Sequence, residues 1–457
     1  MEKFLKKLCF RGLVGKTFTC DNVLLISRYI ASYLISKNRN PKVLIGIDTR
    51  RSSVFFMNIL SFQLSSVGID VFQVDVIPTP AIAYLVNLYD MDLGIVITAS
   101  HNSSEYNGIK LFDKSGIFDF DLNMKEYDCI SSQFSQIQKK INVIGSIEHI
   151  DTAIDDYVDH LVSISIDDYR GIKFAVDCAN GSASFTAPIL FKKLNCDVVL
   201  LNYQPDGFNI NNNCGSTNIQ YLAKYVKSNK LNFGIAFDGD ADRIVVVDGN
   251  GDIIDGDKLL AVFSINMLNK KELLKNTIVN TYMSNQGFNE FVRKKGIHLV
   301  TINVGEKNIE AELKKNNYSL GGEQSGHIVL KKFSNTGDGE LCAVYFLNIV
   351  MQNKESLSSI LEEMVLLPQI LFNVIVNEYQ KKLYDKDINV ISKIKQAKET
   401  LQGKGRVFVR SSSTEPLIRV MIEGENFQLI KGIGNDICDA IQQSKMSNLN
   451  KGTVNEV

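Results

Sequence analysis

The chain has 457 residues, of which 45% are hydrophobic and 22% are charged, and its formal net charge is -1. This length exceeds what one hydrophobic core usually serves, and the balanced charge argues against a polyanion-binding surface as the main function. No apolar run approaches the roughly 20 residues that span a bilayer. The eight cysteines form no C-x-x-C pair, and the N-terminus shows no signal-peptide pattern, so we expect a cytoplasmic protein with reduced thiols.

The first hundred residues alternate between predicted strands and helices. This alternation favours parallel strands that are covered by helices. The predicted elements are a strand at 43–47, a helix at 55–67, a strand at 71–76, a helix at 82–88 and a strand at 93–97.

The same pattern restarts near residue 172 and again near residue 257. The last part begins with a predicted strand at 369–376 and ends with a predicted helix at 427–444, and the polar tail 447–457 is expected to fray. We therefore predict an α/β protein with three tandem α/β domains, whose mixed sheets are sandwiched by helices, and a C-terminal α+β domain. The predicted domains are 1–150, 151–252, 253–365 and 366–457.

The strand at 93–97 is followed by the sequence T-A-S-H-N-S-S-E-Y-N-G, which is rich in small, hydroxylated and amide residues. In open α/β sheets, ligand-binding groups gather at the carboxyl ends of the strands. Ser100 lies at such an end and is predicted to face a ligand.

A second informative loop, D-G-D-A-D-R at 238–243, joins two apolar runs. Carboxylates at alternate positions can converge on a hard cation, and three anionic oxygens suit Mg²⁺. A calcium loop of EF-hand type is excluded, because its sixth position is Arg243 and its twelfth is Gly249. An acidic turn in solvent is the alternative interpretation.

A third loop, G-G-E-Q-S-G-H at 321–327, places Glu323 and Ser325 at alternate positions, from which both could bind sugar hydroxyls. His327 is either a proton-transfer group or a structural histidine. A fourth loop, R-S-S-S-T-E-P-L-I-R at 410–419, brackets a hydroxyl-rich turn with two arginines, which suits a phosphate dianion; a plain turn is the alternative. Together the four loops indicate phosphoryl transfer on a sugar phosphate.

In this order, and across essentially the whole chain, the four loops resemble the motifs of the α-D-phosphohexomutase superfamily. Within that superfamily, Gln324 stands where the phosphomannomutase/phosphoglucomutase branch usually carries Met. The segments 76–81, 206–217 and 414–421 also resemble a bacterial branch that acts on glucosamine phosphates. The resemblance therefore implies an isomerase that interconverts glucosamine 6-phosphate and glucosamine 1-phosphate for UDP-N-acetylglucosamine synthesis, with a phosphomannomutase or phosphoglucomutase as the alternative.

The resemblance also implies the site and its cofactors. Ser100 would carry a phosphoryl group, a hexosamine 1,6-bisphosphate would be the intermediate and activator, and the domains would surround a central active-site cleft. One Mg²⁺ per subunit would be held by phosphorylated Ser100 with Asp238, Asp240 and Asp242. The implied substrate-binding residues are Glu323, Ser325, His327, Arg410, Ser412, Ser413, Thr414 and Arg419.

Proton transfer is assigned to no single residue by the resemblance. The candidates are His101, Lys110, Arg243 and His327, and pure charge stabilisation is the alternative for Lys110 and Arg243. The implied partner is a small sugar phosphate rather than a nucleic acid or a membrane, and a homodimer is expected.

The chain departs from the superfamily pattern in three places. The usual glycine-rich N-terminal motif is reduced to L-C-F-R-G at 8–12, which keeps Arg11. Ser103 stands where proline is common and is expected to loosen the serine loop, and Ser413 stands where Gly or Asn is usual. A degenerate mutase that only binds ligands is thus a further alternative, against which the intact aspartates argue. A nucleotide-binding enzyme is disfavoured because the chain has neither a G-x-x-x-x-G-K-[ST] loop nor a G-x-G-x-x-G after a strand.

Overall fold

A computed structural model describes most of the chain as two compact units. The described residues are 10–117, 134, 143–166, 169–352, 354–412 and 417–444. The larger unit takes in Met1–Thr281 and Ile297–Leu361, and the smaller takes in Tyr282–Gly296 and Glu362–Val457. The smaller unit is therefore built from two separate segments of chain.

The first sheet of the larger unit is mixed. Its elements are β1 (Arg11–Leu13), α1 (Cys20–Lys37), β2 (Lys42–Ile47), α2 (Arg51–Ser65), β3 (Asp70–Val76), α3 (Thr79–Leu88), β4 (Leu93–Ile97), β5 (Tyr106–Asp113), β6 (Gly116–Ile117) and β7 (Ile147–His149). The strand order is β1-β5-β4-β2-β3-β7, and β6 pairs with β5. β4 is parallel to β2 and antiparallel to β5. It is buried along its whole length, which explains its uninterrupted apolar sequence.

The second sheet supplies a hairpin that holds the acidic loop. Its elements are α4 (Ala153–Ser163), β8 (Lys173–Asp177), α5 (Ala183–Lys193), β9 (Asp197–Leu201), α6 (Gln220–Ser228), β10 (Phe233–Phe237), β11 (Ile244–Asp248) and β12 (Ile253–Ile254). The strand order is β12-β11-β10-β8-β9. β10 and β11 are antiparallel, with Phe237 opposite Ile244, so residues 238–243 form the connection between them.

The third sheet ends at the predicted sugar loop. The elements of this part of the chain are α7 (Gly256–Asn269), a 3₁₀ turn (Leu274–Asn276), β13 (Thr277–Thr281), α8 (Gln286–Lys294), β14 (His298–Ile302), α9 (Glu306–Asn316), β15 (Leu320–Gly322), β16 (Ile328–Leu330), α10 (Gly339–Gln352) and α11 (Lys354–Glu363). The strand order is β14-β13-β15-β16, and β15 and β16 are antiparallel. The loop 323–327 therefore joins two buried strands, while α8 belongs to the smaller unit.

The smaller unit has a three-stranded antiparallel sheet. Its elements, besides α8, are β17 (Gln369–Ile375), α12 (Glu378–Leu383), a 3₁₀ turn (Tyr384–Lys386), α13 (Ile388–Thr400), β18 (Gly405–Ser411), β19 (Leu417–Gly424) and α14 (Phe427–Gln442). The strand order is β17-β19-β18. Alternate residues of β19, among them Ile418 and Val420, are buried in one cluster with Ile430 and Ile437 of α14. This unit thus has its own hydrophobic core.

Glu423, which is fully buried on β19, ties α8 to this sheet. Its carboxylate accepts hydrogen bonds from the backbone N–H of Gln286 at 2.9 Å and from the side-chain amide of Gln369 at 3.0 Å. Arg406 donates from Nε to the same carboxylate at 3.3 Å and also donates to the carbonyl oxygen of Ser284. Since a buried carboxylate needs such partners, these contacts fix α8 within the smaller unit.

The structure confirms the predicted α/β architecture of mixed sheets and helices. The predicted strands are present with ends within two residues of the predicted ones, whereas α2 begins at Arg51 and α3 at Thr79, earlier than predicted. Pro80 lies in the first turn of α3, where a missing N–H costs nothing. The division at 150, 252 and 365 stays a prediction, and the tail 447–457 lies outside the described residues. None of the described helices is long and apolar enough to cross a membrane.

Candidate active site

Ser100 lies in the loop that follows β4 and is only 1% exposed. Its backbone φ is 48°, in the left-handed region that few residues other than glycine adopt. Its backbone N–H donates to Thr98 Oγ1 at 2.9 Å. In this conformation Ser100 Oγ donates to Asp238 Oδ2 at 2.7 Å. The end of β4 therefore presents the Ser100 hydroxyl directly to the acidic loop.

The carboxylates of Asp238, Asp240 and Asp242 converge and are buried rather than solvent-exposed. One oxygen of each lies within 4.8 Å of the others. Each aspartate also has a buried oxygen, Oδ1, without a hydrogen-bond partner. Gly239 allows the close approach, because a Cβ atom there would lie 2.7 Å from the carbonyl oxygen of Ser100. Three buried carboxylate oxygens without hydrogen-bond partners are the donor set of a hard divalent cation, so these residues fit Mg²⁺.

The side chains of Lys110 and Arg243 contact these carboxylates. Lys110 Nζ lies 2.9 Å from Asp240 Oδ2 and 2.5 Å from Asp242 Oδ2. Arg243 Nε lies 3.6 Å from Asp242 Oδ1 and 4.0 Å from Asp238 Oδ2. Both side chains are thus placed to stabilise negative charge beside Ser100.

The pKa values of Asp238 and Asp242 are shifted in opposite directions, because the nearby cations stabilise the charge of Asp242 more than that of Asp238. Burial raises the pKa of Asp238 well above its usual range, and the charges of Asp242 and Asp240 raise it further. Burial would also raise the pKa of Asp242, but Lys110 and other cations hold it well below its usual range. The carboxylate that Ser100 contacts is therefore the poorly compensated one, and a bound cation would favour its charged form.

Glu306 is a fourth carboxylate at this site, which the sequence reasoning missed. It begins α9, with Oε2 3.6 Å from Lys110 Nζ and Oε1 3.5 Å from Arg243 Nη2. With Asp242 and His327 it forms, within the described part of the chain, another group whose ligand atoms lie within 4.8 Å of one another. The residue carried no signal beyond its place at a helix start.

The loop after β15 holds Glu323 and Ser325 side by side. Glu323 is 7% exposed, and its Oε1 accepts the backbone N–H of Gly305 at 2.9 Å. Ser325 Oγ donates to Glu323 Oε2 at 3.3 Å. The backbone N–H of Glu323 donates to the carbonyl oxygen of His327 at 2.9 Å, which closes the turn. A carboxylate and a hydroxyl are therefore presented together.

The two predicted histidines have opposite electrostatic surroundings. His101 Nδ1 lies 3.5 Å from Ser100 Oγ, and burial, with the charge of Arg243, lowers the pKa of His101 to about 2. His327 is fully buried, with Nδ1 3.8 Å from Asp242 Oδ2. Burial would lower the pKa of His327, but nearby carboxylates raise it to about 9. At neutral pH the imidazole beside Ser100 is thus neutral, whereas the one beside Asp242 is protonated.

Arg50 and Asn211 hold the backbone of the serine loop, Asp48 holds Arg50, and we call these three residues the carbonyl clamp. Arg50 Nη2 donates to the carbonyl oxygens of Ser100 at 2.9 Å and Asn102 at 2.8 Å. Asn211 Nδ2 donates to the same two oxygens at 2.8 and 2.9 Å. Asp48 Oδ2 accepts from Arg50 Nε at 2.8 Å. The sequence did carry a signal for Asp48 and Arg50, because they follow β2, which is parallel to β4.

Arg11 lies beside the same loop. Its guanidinium donates to a backbone carbonyl and to Asn102 Oδ1. The stretch 8–9 of the reduced N-terminal motif lies outside the described residues. The carbonyl oxygen of Ser103 accepts a hydrogen bond from Arg50, and the loosening expected from Ser103 stays a prediction.

In the smaller unit, Arg410 and Arg419 lie directly opposite each other on β18 and β19. Ser412 is 4% exposed, and its backbone N–H donates to the carbonyl oxygen of Leu417 at 2.9 Å. Ser413 and Thr414 lie outside the described residues. The two arginines that bracket the turn in the sequence are thus cross-strand neighbours.

Models of one protein family match the chain in four consecutive stretches. Those described as phosphoglucomutase/phosphomannomutase alpha/beta/alpha domains I, II and III match residues 7–138, 155–251 and 255–366, and the model of its C-terminal domain matches residues 371–440. Together the four stretches account for most of the sequence.

Curated relatives and solved structures agree with this match. A phosphoglucosamine mutase of Caldicellulosiruptor saccharolyticus is 41% identical over 94% of this chain and 97% of its own length, and one of Clostridioides difficile is 39% identical over 97% and 99%. The fold resembles that of a phosphoglucomutase/phosphomannomutase family protein from Burkholderia thailandensis, with a TM-score of 0.77 at 24% identity over 97% of this chain and 98% of the other. An Aspergillus fumigatus N-acetylphosphoglucosamine mutase, solved with GlcNAc-6P and magnesium, gives a TM-score of 0.59 at 18% identity over 80% of this chain and 91% of the other. The chain belongs to the phosphoglucomutase/phosphomannomutase family and, within it, to the phosphoglucosamine mutases, which confirms the predicted superfamily and the predicted enzyme class, an isomerase.

Proposed function

We propose that this enzyme interconverts glucosamine 6-phosphate and glucosamine 1-phosphate, with Ser100 as the phosphoryl carrier and a hexosamine 1,6-bisphosphate as the intermediate. The observation that supports this most directly is the 2.7 Å hydrogen bond from Ser100 Oγ to Asp238. Asp238 is one of three buried aspartates that each have an oxygen without a hydrogen-bond partner. The relatives at about 40% identity favour amino-sugar phosphates over the alternative, a phosphomannomutase or phosphoglucomutase.

Asp238, Asp240 and Asp242, with an oxygen of phosphorylated Ser100, would hold one Mg²⁺. When bound, this cation neutralises charge on the transferring phosphoryl group. The protein's own cations, Lys110 and Arg243, stabilise charge in the same place, since each already contacts two of the aspartates.

The reaction has two half-reactions. In the first, the O1 hydroxyl of glucosamine 6-phosphate attacks phosphorus, the bond from phosphorus to Ser100 Oγ breaks, and a proton passes from the sugar hydroxyl to Oγ. The bisphosphate then reorients so that its 6-phosphate faces Ser100. Ser100 Oγ attacks that phosphorus, the bond from phosphorus to O6 breaks, and the Oγ proton passes to O6. Among the proton-transfer candidates His101, Lys110, Arg243 and His327, His101 has its Nδ1 3.5 Å from Ser100 Oγ.

Sugar and phosphate recognition are assigned to the other two loops. Glu323 and Ser325 would bind sugar hydroxyls, and His327, buried in the same loop, is the third residue proposed to bind the sugar. The residues proposed to bind the non-reacting phosphate are Arg410, Ser412, Ser413, Thr414 and Arg419. A cytoplasmic location and a homodimer stay predictions.

The test compares kcat/KM for glucosamine 1-phosphate and glucose 1-phosphate, with Mg²⁺ and a catalytic amount of hexose 1,6-bisphosphate. We expect a large preference for the amino sugar, loss of turnover in Ser100→Ala with unchanged circular dichroism, and a phosphorylated peptide containing Ser100 by mass spectrometry. Ser66→Ala, which alters an exposed serine, is the matched control. A preference for glucose 1-phosphate would reassign the substrate, and wild-type turnover in Ser100→Ala would refute the mechanism.

A further inference from the structure

The serine loop holds a backbone conformation that it does not favour by itself. Ser100 has a φ of 48°, although it is not glycine. Such a residue persists in the left-handed region only where its surroundings fix it.

Arg50 can hold several backbone carbonyl oxygens of the serine loop at once. It is 1% exposed, and a guanidinium has five N–H donors in a rigid fork. Besides its bond to Asp48, every donor atom is directed at the backbone that carries Ser100. These donors contact the carbonyl oxygens of Ser100 (2.9 Å), Asn102 (2.8 Å), Tyr106 (3.1 Å) and Ser103.

Asn211 donates to two of the same carbonyl oxygens, those of Ser100 and Asn102. It ends a segment, 206–211, that is itself stiffened by Asp206, whose Oδ1 accepts the backbone N–H groups of Phe208 at 2.7 Å and Asn209 at 2.8 Å. A Cβ atom on Gly239 of the acidic loop would lie 2.7 Å from both Asn211 Nδ2 and the carbonyl oxygen of Ser100. The serine loop, Asn211 and the acidic loop are therefore packed so closely at residue 239 that only glycine fits there.

We propose that Arg50 and Asn211 are positioning residues, which hold the carbonyl oxygen of Ser100 so that Oγ faces the acidic loop both when it is free and when it is phosphorylated. This inference rests on the proposed role of Ser100 as phosphoryl carrier. Arg50 acts through geometry rather than charge, because Asp48 balances its charge at 2.8 Å. Lysine would keep the charge but could not span several carbonyl oxygens.

The proposed reaction requires that Ser100 Oγ keep one position. The phosphoryl group leaves Ser100 Oγ and must return to it from the other end of the sugar, so the same oxygen is the leaving group in one half-reaction and the nucleophile in the other. A displacement of about 1 Å can cost about 100-fold in rate. A clamp on the backbone fixes Oγ without occupying space that the sugar phosphate needs.

The experiment uses Arg50→Lys and Asn211→Gly in the full-length enzyme. Glycine tolerates the φ of 57° at residue 211, so this variant removes the amide donor without adding backbone strain. Matched controls are Arg51→Lys, at the exposed neighbouring arginine, and Asn213→Gly, at an exposed asparagine with a φ of 56° in the same loop.

We expect kcat to fall about 100-fold in Arg50→Lys and about tenfold in Asn211→Gly, with KM and the Mg²⁺ dissociation constant within about threefold of wild type. The controls should keep wild-type kcat. Wild-type kcat in both test variants would overturn the inference, as would losses of kcat that only parallel a lower Tm or weaker Mg²⁺ binding. If Arg50→Lys does not fold, Asn211→Gly decides. Turnover in Ser100→Ala would instead refute the proposed function, so the two failures are distinguishable.

Discussion

Lys110 Nζ lies 2.5 Å from Asp242 Oδ2, so a protein cation already occupies one side of the aspartate cluster. Burial would lower the pKa of Lys110, but Asp240 and Asp242 raise it well above its usual range, which keeps the ammonium charged. A divalent cation at the aspartates therefore binds against the repulsion of a fixed positive charge.

The first prediction follows from this repulsion. Lys110→Met should tighten Mg²⁺ binding about tenfold or more, because one repelling charge is removed, and should lower kcat about 100-fold, because charge stabilisation is lost. Calorimetric titration with Mg²⁺ in the absence of sugar phosphate measures the first effect. Lys114→Met, at a half-exposed lysine paired with Asp90, is the control. Weaker Mg²⁺ binding in Lys110→Met would contradict the prediction.

The second prediction concerns the phosphate loop. Arg419→Met should raise KM for glucosamine 6-phosphate about 10- to 100-fold, the cost of a lost hydrogen bond to a charged group, with a smaller effect on kcat. Steady-state kinetics measure this, and Lys404→Met, at an exposed lysine just before β18, is the control. An unchanged KM would show that Arg419 does not bind the substrate phosphate.

The third prediction concerns the buried carboxylate of Glu423. Glu423→Ala removes the carboxylate that pairs with Arg406 and accepts the backbone N–H at the start of α8, so the free energy of unfolding should fall by about 3 to 5 kcal/mol. Urea unfolding measures the loss. Glu425→Ala, at an exposed residue two positions later, should change it by less than about 0.5 kcal/mol. Equal losses in both variants would argue against the Glu423 network.

The fourth prediction concerns pH. Burial raises the pKa of Glu310 from 4.5 to about 7. A carboxyl group with a higher pKa in the folded chain binds more protons when folded, so it contributes stability below pH 4.5 that is lost as the pH rises to about 7. Glu310→Gln should therefore raise the free energy of unfolding at pH 8 by up to about 3 kcal/mol, with little gain near pH 4.5.

Urea unfolding at pH 5 and pH 8 tests this difference. Glu290→Gln, at an exposed carboxylate, should give similar free energies of unfolding to wild type at both pH values. A gain in Glu310→Gln that is the same at pH 5 and pH 8 would mean that the ionisation of Glu310 is not its cause.

Sequence alone located the parts of the site that local pattern encodes. Ser100 was predicted because it follows an apolar strand, and the acidic loop was predicted because its carboxylates alternate between two such strands. Arg50 was missed although it follows β2, because a polar residue at a strand end does not by itself indicate which backbone it contacts. Asn211 was missed because its contact with Ser100 spans 111 positions. Glu306 was missed because an acidic residue at a helix start is ordinarily explained by the helix dipole alone.

The same limit applies to the fold. Strand ends were predicted well, since burial on both faces demands continuous apolar residues. The start of α2 was placed too late, because Arg51 to Val54 lack the apolar spacing on which the prediction relied. Helix α8 belongs with the C-terminal sheet because Gln286 bonds to Glu423. These residues are 137 positions apart, so the sequence around α8 does not indicate the contact.

The smaller unit cannot be obtained by cutting the chain at one position, because the polypeptide enters it twice. The polypeptide enters the smaller unit at Tyr282, leaves it after Gly296 and enters it again at Glu362. A truncation after residue 361 would therefore remove Glu423, the partner of α8, together with Arg406 and Gln369, which bind the backbone just before that helix. The C-terminal domain is not a detachable module, and a shortened polypeptide that isolates it must join 282–296 to 362–457.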